Sequence, residues 1–263
     1  MLSRTHQGVS MFERLAAVAF ALFLALLLPI SAASAAEGLD QAAVERIIKD
    51  YLLKNPEVLE EALNALQDKR AAEQAAQQKL AFEANKDKLF KSPSGAVFGN
   101  PNGNVTLVEF FDYNCGYCKR GLADILNLLD KDKNLRVIVK DFPVLGPGSL
   151  EAATVAVAVK QQLDGEKFLE FHKTLLSTRG PVAKDRALEV AQQSGVDMAK
   201  LNADIAGKTV RSIVTESLKL GDSLGISGTP SYVLGSELVV GAVGYDALRQ
   251  KIESVRKCGQ TVC

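Results

Sequence analysis

Apolar and polar positions follow three successive regimes along the chain. From Leu39 to about Leu53, Val44, Ile47, Ile48, Tyr51 and Leu52 recur at helical spacing and predict one apolar stripe. Asn55-Pro56-Glu57 then resets the chain: Asn55 suits an N-cap, Pro56 the first helical position, and Glu57 the positive end of the helix dipole. The second predicted helix carries Val58, Leu59, Ala62, Leu63 and Leu66 before turning polar. Arg70 to Lys79 is rich in alanine, glutamine and charge, good helix formers with few large apolar groups. Leu80, Phe82, Leu89 and Phe90 restore some apolar surface.

Loop chemistry over residues 92–95 and 99–104 marks a boundary, and the first strand is expected after it. Val105 to Phe111 and Leu135 to Phe142 read as strands. A helix-like run from Leu122 to Leu129 lies between them, so the strands can pair in parallel through a crossover. A long helical stretch follows: 150–163, 167–176, 184–194, 197–206 and 209–224. Thr229 to Leu234 and Glu237 to Val240 then straddle Gly235-Ser236, a hairpin-like turn, and Tyr245 to Arg256 closes the chain as a helix. The order is βαβ, helical insertion, ββα, an α/β fold.

The first residues form a separate case. Arg4 and Arg14 precede an apolar run from Leu15 to Leu28, then Pro29 and the small residues Ser31 to Ala36. A basic region, a short apolar region and the A-x-A site at Ala33-Ser34-Ala35 predict a secretory signal over residues 1–35. Cleavage after Ala36 and a start at Met11 are the close variants. An uncleaved anchor is the competing reading, but the run falls short of the ~20 residues a spanning helix needs. Basic and acidic side chains balance at 31 each, so no basic stripe points to a nucleic-acid partner. All four cysteines follow the leader, and export to an oxidising compartment, the periplasm for a signal of this style, permits disulfides among them.

The chemistry concentrates at Cys115-Gly116-Tyr117-Cys118, between a predicted strand and a predicted helix. That context reads as a thioredoxin-type redox site. On the first turn of a helix, residues three apart share a face, so the two sulfurs can close a small disulfide ring. Cys115 would sit where backbone N–H groups and the dipole favour negative charge, and a thiolate is the species that attacks disulfides. Cys115 is the expected nucleophile and Cys118 the resolving thiol. A structural disulfide or half a zinc site is the bland alternative. Zinc needs four ligands, and the other cysteines, Cys258 and Cys263, lie at the extreme C-terminus, where a local structural disulfide is feasible. The chemistry itself calls for no metal or organic cofactor. Residues 36–91 have too little apolar surface for a core of their own. Either copies of this region associate or it lies on its own domain; self-association is favoured.

The element order, the run from Glu109 to Lys119 around the C-x-x-C, Gly228-Thr229-Pro230-Ser231 and the insertion length together resemble the DsbA-like branch of the thioredoxin superfamily. The resemblance covers roughly residues 93–257. Residues Ile47 to Leu59 resemble the oligomerisation region of ScsC-type proteins, the suppressor-of-copper-sensitivity thiol–disulfide isomerases, whose family includes trimers. Gly116-Tyr117 and the threonine before Pro230 are also similar to DsbC-type isomerases, unlike the Pro-His and Val-Pro of strongly oxidising DsbA proteins. The resemblance implies a DsbA-like thioredoxin domain over 92–263, with its insertion at about 146–226. Ahead of it would lie a helical oligomerisation region and linker helix over 36–91. It also implies a cis Pro230 facing Cys115, a Thr229 backbone that binds extended substrate, and Glu109 as an acid beneath the site that helps move protons. An ordinary loop turn at Thr229-Pro230 and a surface acid at Glu109 are the competing readings. Lys140 is a candidate charge partner for Glu109, and His172, beside Phe168, Phe171 and Leu175, is expected to flank the core or lie exposed rather than to act in catalysis. The family does not require the Cys258–Cys263 pair.

The implied activity is that of an exported thiol–disulfide oxidoreductase, an oligomeric disulfide isomerase acting on exported proteins with cysteines or disulfides. A membrane or periplasmic redox partner would be required. A DsbA-like dithiol oxidase of secreted proteins is the first alternative. A copper- or zinc-binding thiol protein or holdase is the second.

Overall fold

The computed structural model describes residues 40–91 and 94–263; the expected leader lies outside the described residues. The chain divides into two compact units between Asp68 and Lys69. Among the described residues, no helix is long and apolar enough to cross a membrane.

The first unit holds helix α1 (Gln41–Lys54) and the start of α2 (Glu57–Phe90). Asp40 caps α1 by accepting from the Ala42 amide, 3.4 Å away. Asn55 does not serve the following helix as expected. Its side chain turns back and donates to the Tyr51 carbonyl at 2.8 Å, closing α1. The carbonyls at a helix end need donors as much as the amides at a helix start need acceptors, and here the former need wins. No residue of α1 is buried.

In the second unit, a five-stranded sheet runs β1-β3-β2-β4-β5, built from β1 (Gly95–Gly99), β2 (Val105–Phe111), β3 (Leu135–Asp141), β4 (Ser231–Leu234) and β5 (Glu237–Val240). β2 and β3 are parallel; every other pairing is antiparallel. β1 was not expected: the pattern places the first strand at Val105, and the short apolar run Ala96-Val97-Phe98 lies between the two loop segments at 92–95 and 99–104. It gains its conformation from the ladder with β3.

Nearly every residue of β2 is buried, as for a central strand covered on both faces. Val105, Leu107 and Phe111 join the larger core with α3 (Gly116–Lys131), α4 (Pro147–Lys160), α5 (Gly165–Leu176), α6 (Lys184–Gln193) and α9 (Tyr245–Cys258). Val108 and Phe110 pack on the opposite face with Ile138, Phe142 and Leu220, the last from α8 (Lys208–Ser223). α7 (Met198–Ala206) completes the insertion. Gly221 in α8 lets Phe142 lie against the helix backbone; any Cβ there would collide with its ring. Phe82 and Leu89, from the last turns of α2, are buried in this same cluster. The end of α2 therefore contributes to the core of the second unit, although the pattern alone placed residues up to 91 with the N-terminal region.

Candidate active site

The C-x-x-C segment stands where β2 hands over to α3. Cys115 is the N-cap of α3, with extended backbone, and its amide donates to the Asp112 carbonyl at 3.0 Å. Cys118 lies inside the first turn and is fully buried. Both sulfurs are free thiols. The Thr229–Pro230 peptide bond is cis, and the Cys115 thiol donates to the Thr229 carbonyl across 3.1 Å. Residues 114 positions apart in sequence thus meet at the mouth of the site.

The two thiols differ in surroundings. Burial pushes the Cys118 thiol well above its ordinary range, and the Glu109 carboxyl raises it further. Glu109 is itself buried, and burial pushes its pKa up to about 8. It belongs to the same sheet face as Leu107 and Phe111, the face that α3 covers. The competing reading of Glu109 as a surface acid is therefore excluded.

The pairing of Glu109 with Lys140 does not form. In the β2–β3 ladder Glu109 stands opposite Val139 and Phe110 opposite Lys140, so the two charges point to opposite faces. Lys140 is buried on the other side, where its Nζ donates to Ser94 Oγ at 2.7 Å. Burial brings the Lys140 pKa down to about 8, partly offset by Glu216.

Three polar residues that the sequence pattern did not single out hold the site loop. Asp112 is buried; one carboxylate oxygen accepts from the Asn114 amide (2.8 Å), the other from the Val144 and Leu145 amides (3.0 and 3.1 Å). The Asn114 side chain donates to Ser149 Oγ (3.0 Å) and the Val182 carbonyl (2.8 Å), and accepts from the Val182 amide (2.6 Å). Lys119 Nζ donates to the Thr178 and Gly180 carbonyls at 2.7 and 3.0 Å. Their partners lie tens of residues away, so nothing local announces them. His172 is a core residue, which decides between the core-flanking and exposed positions the sequence left open: buried, 3.2 Å from the Tyr113 hydroxyl, with burial taking its pKa down to about 3, so it stays neutral.

Tyr117, between the cysteines, is exposed, with the Arg120 guanidinium 4.3 Å above its ring. Val144 and Leu145, on the loop held by Asp112, are exposed as well. At the far end of the sheet, Cys258 and Cys263 form a disulfide, as their spacing allowed.

Residues 106–253 match the DSBA-like thioredoxin domain, over half of the chain. The chain belongs to the DsbA-like thioredoxin family. That family consists of thiol–disulfide oxidoreductases. Residues 40–73 match the copper resistance protein ScsC N-terminal domain, in agreement with the resemblance drawn from Ile47 to Leu59. Among solved structures, a thioredoxin-like oxidoreductase from Silicibacter pomeroyi DSS-3 is 39% identical, with a TM-score of 0.62 over 66% of this chain and 99% of that one. Proteus mirabilis ScsC in a transitional conformation is 30% identical, with a TM-score of 0.63 over 81% of this chain and 95% of that one. The Na(+)/H(+) antiporter NhaA 1 of Salinispora arenicola is 26% identical over 160 residues, 60% of this chain and 24% of that protein. The chain thus spans about a quarter of the length of the curated relatives it matches first.

Proposed function

We propose that this chain is an exported thiol–disulfide oxidoreductase working as an oligomeric disulfide isomerase. The redox half of the reading rests on the dithiol at the start of α3, with Cys115 against the Thr229 carbonyl and Cys118 behind it. Cys115, as thiolate, attacks a wrong substrate disulfide. A bond forms between Cys115 Sγ and one substrate sulfur, and the other leaves as thiolate and takes a proton from solvent. A different substrate thiolate then displaces Cys115, with no net electron transfer. Alternatively Cys118 attacks Cys115, and the substrate leaves reduced while the pair becomes a disulfide. The Thr229 backbone holds an extended substrate segment in the manner of an added strand.

The observation that carries the isomerase half is the uncovered apolar face of the first unit. Ile47, Ile48, Tyr51 and Leu53 of α1, and Leu59, Leu63 and Leu66 of α2, are all exposed, and α1 buries nothing. Such a face gains ~25 cal/mol for each Å² of apolar surface covered, and a second copy of the same segment is the surface that fits it in a closed symmetric assembly. Several Cys115 sites around a shared space would keep a substrate within reach after the first attack, at high effective concentration. The match of residues 40–73 to the ScsC N-terminal domain supports the same reading.

Light scattering and scrambled-ribonuclease refolding, on the mature chain and on one beginning at Lys69, test it. The later start keeps Phe82 and Leu89, which fill the core of the redox unit. The mature chain should be an oligomer with isomerase activity. The shorter chain should be a folded monomer that reduces small disulfides but no longer unscrambles ribonuclease. A monomeric mature chain, or full isomerase activity in the shorter one, would replace this reading with a simple dithiol oxidase.

A further inference from the structure

Tyr232 lies in the buried layer beneath the dithiol, and the reaction as written above does not use it. It follows cis Pro230 by two residues, so β4 carries it back under the site. In the β2–β4 ladder it stands directly opposite Glu109. Opposed residues of an antiparallel pair project to the same face with Cβ atoms about 4.5–5.5 Å apart. The ring is buried among the residues of the larger core. Its far end reaches α3: a Cβ placed on Gly121 would stand 3.3 Å from the Tyr232 hydroxyl oxygen. Gly121 is three residues beyond Cys118, on the same helix face one turn on. The hydroxyl therefore arrives on the side of α3 that carries Cys118, from the strand position that faces Glu109. The absence of a side chain at Gly121 makes the space for it.

We propose that Tyr232 is a positioning residue for the resolving half of the reaction, its hydroxyl donating to whichever of Cys118 and Glu109 is negatively charged as a proton passes between them. The inference rests on the dithiol reading above. In the step itself the Cys118 S–H bond breaks and its proton goes to the Glu109 carboxylate. The sulfur electron pair attacks Cys115 Sγ and forms the Cys115–Cys118 bond. The bond from Cys115 to the substrate sulfur breaks, and the substrate leaves with that electron pair and takes a proton from solvent. In the reverse direction Glu109 returns the proton to Cys118. A donor that keeps its own proton is the useful third group in such a pair, because it stabilises either anion without consuming the transferred proton. Burial, followed by the nearby Glu109 and Cys118, holds the Tyr232 hydroxyl well above its ordinary range, so it remains a donor throughout. The other titratable groups facing it are Asp124 and Cys115, both from the start or body of α3.

The two halves of the reaction separate with the chromogenic disulfide dithionitrobenzoate on the full mature protein in stopped flow. Attack by Cys115 releases the first thionitrobenzoate in a phase that depends on reagent concentration. Attack by Cys118 releases the second in a phase that does not. Tyr232→Phe keeps the ring and removes the hydroxyl. It should leave the first phase within about twofold and slow the second roughly tenfold, the worth of one hydrogen bond to a charged group. The pH midpoint of the second phase should also rise by about one unit, since the carboxylate loses a donor. Gly121→Ala, which displaces the hydroxyl while keeping all three groups, should slow the second phase in the same sense. In a Glu109→Gln background, Tyr232→Phe should add less than about twofold, because coupled residues act as a unit. An unchanged second phase in Tyr232→Phe, or equal slowing of both phases, would overturn the assignment. A second thionitrobenzoate released as fast from Cys118→Ala would instead overturn the dithiol reading on which it rests.

Discussion

The two cysteine pairs of this chain occupy opposite kinds of helix end. Cys115 and Cys118 open α3, buried and not bonded to each other; Cys258 closes α9 and is bonded to Cys263 in the exposed tail. They also lie at opposite ends of β4, since Pro230 precedes that strand at the site while Gly235, after it, lies against the Gly259 carbonyl. The first pair meets a helix N-terminus, a cis-proline loop and a buried acid. The second meets the last turn of a helix and Gly259, which takes φ 78 in the left-handed region where glycine is at home. The same pair of atoms thus stands in two different settings. What separates them is the neighbouring backbone and the presence of a buried acid, Glu109, near the first pair.

The largest test of this contrast is the removal of one thiol at a time. Cys115→Ala should abolish disulfide reduction and isomerisation. Cys118→Ala should leave attack intact and trap substrate as mixed disulfides, visible as thiol-sensitive adducts on a non-reducing gel. Trapping by Cys115→Ala in place of Cys118→Ala would reverse the roles of the two.

A smaller effect sharpens the role of the buried acid. Glu109 holds its proton up to about pH 8 in the folded protein, whereas an unfolded glutamate releases it near 4.5. Between those values the folded state binds the extra proton, so the free energy of unfolding should fall as pH rises, by on the order of a few kcal/mol in total. Asp141, which burial pushes up to about 7, adds to the same slope. Glu109→Gln should flatten the decline without removing the Asp141 share, as urea denaturation across that pH range would read. An unaltered slope would mean that Glu109 does not titrate there.

The smallest effect belongs to the other pair. Cys258→Ser opens a loop of a few terminal residues, for which chain entropy predicts a loss of no more than about 2 kcal/mol. Exchange rates at the dithiol should stay within about twofold of the parent, so a large loss of activity in Cys258→Ser would break the division between an exchanging pair and a closing one.

How far the sequence could be read follows the range of the interactions involved. The C-x-x-C between strand and helix, the Thr-Pro ahead of β4 and the long helical insertion are local patterns, and each is found where the pattern placed it. Errors arose where a partner strand or a distant segment decides. The Glu109–Lys140 pairing failed because a parallel register offset by one residue exchanges the faces. β1 depends on its ladder with β3, and the fate of Phe82 and Leu89 depends on a core formed mostly by residues far along the chain. Asp112 and Asn114 look like ordinary turn residues, and their bonds to positions 144, 145, 149 and 182 have no sequence signal.

Asn114 also bears on how the fold can be engineered. Its amide group spends both donors and one acceptor on Ser149 and Val182, at two separate places in the insertion, while Lys119 reaches Thr178 and Gly180 in the same loop as Val182. The helical insertion is therefore a scaffold part of the active-site loop and not a detachable ornament. A designer who trims this protein toward a minimal thioredoxin would strip the brace from the residue next to Cys115, and any graft that keeps the geometry of the dithiol must carry residues 149, 178, 180 and 182 with it.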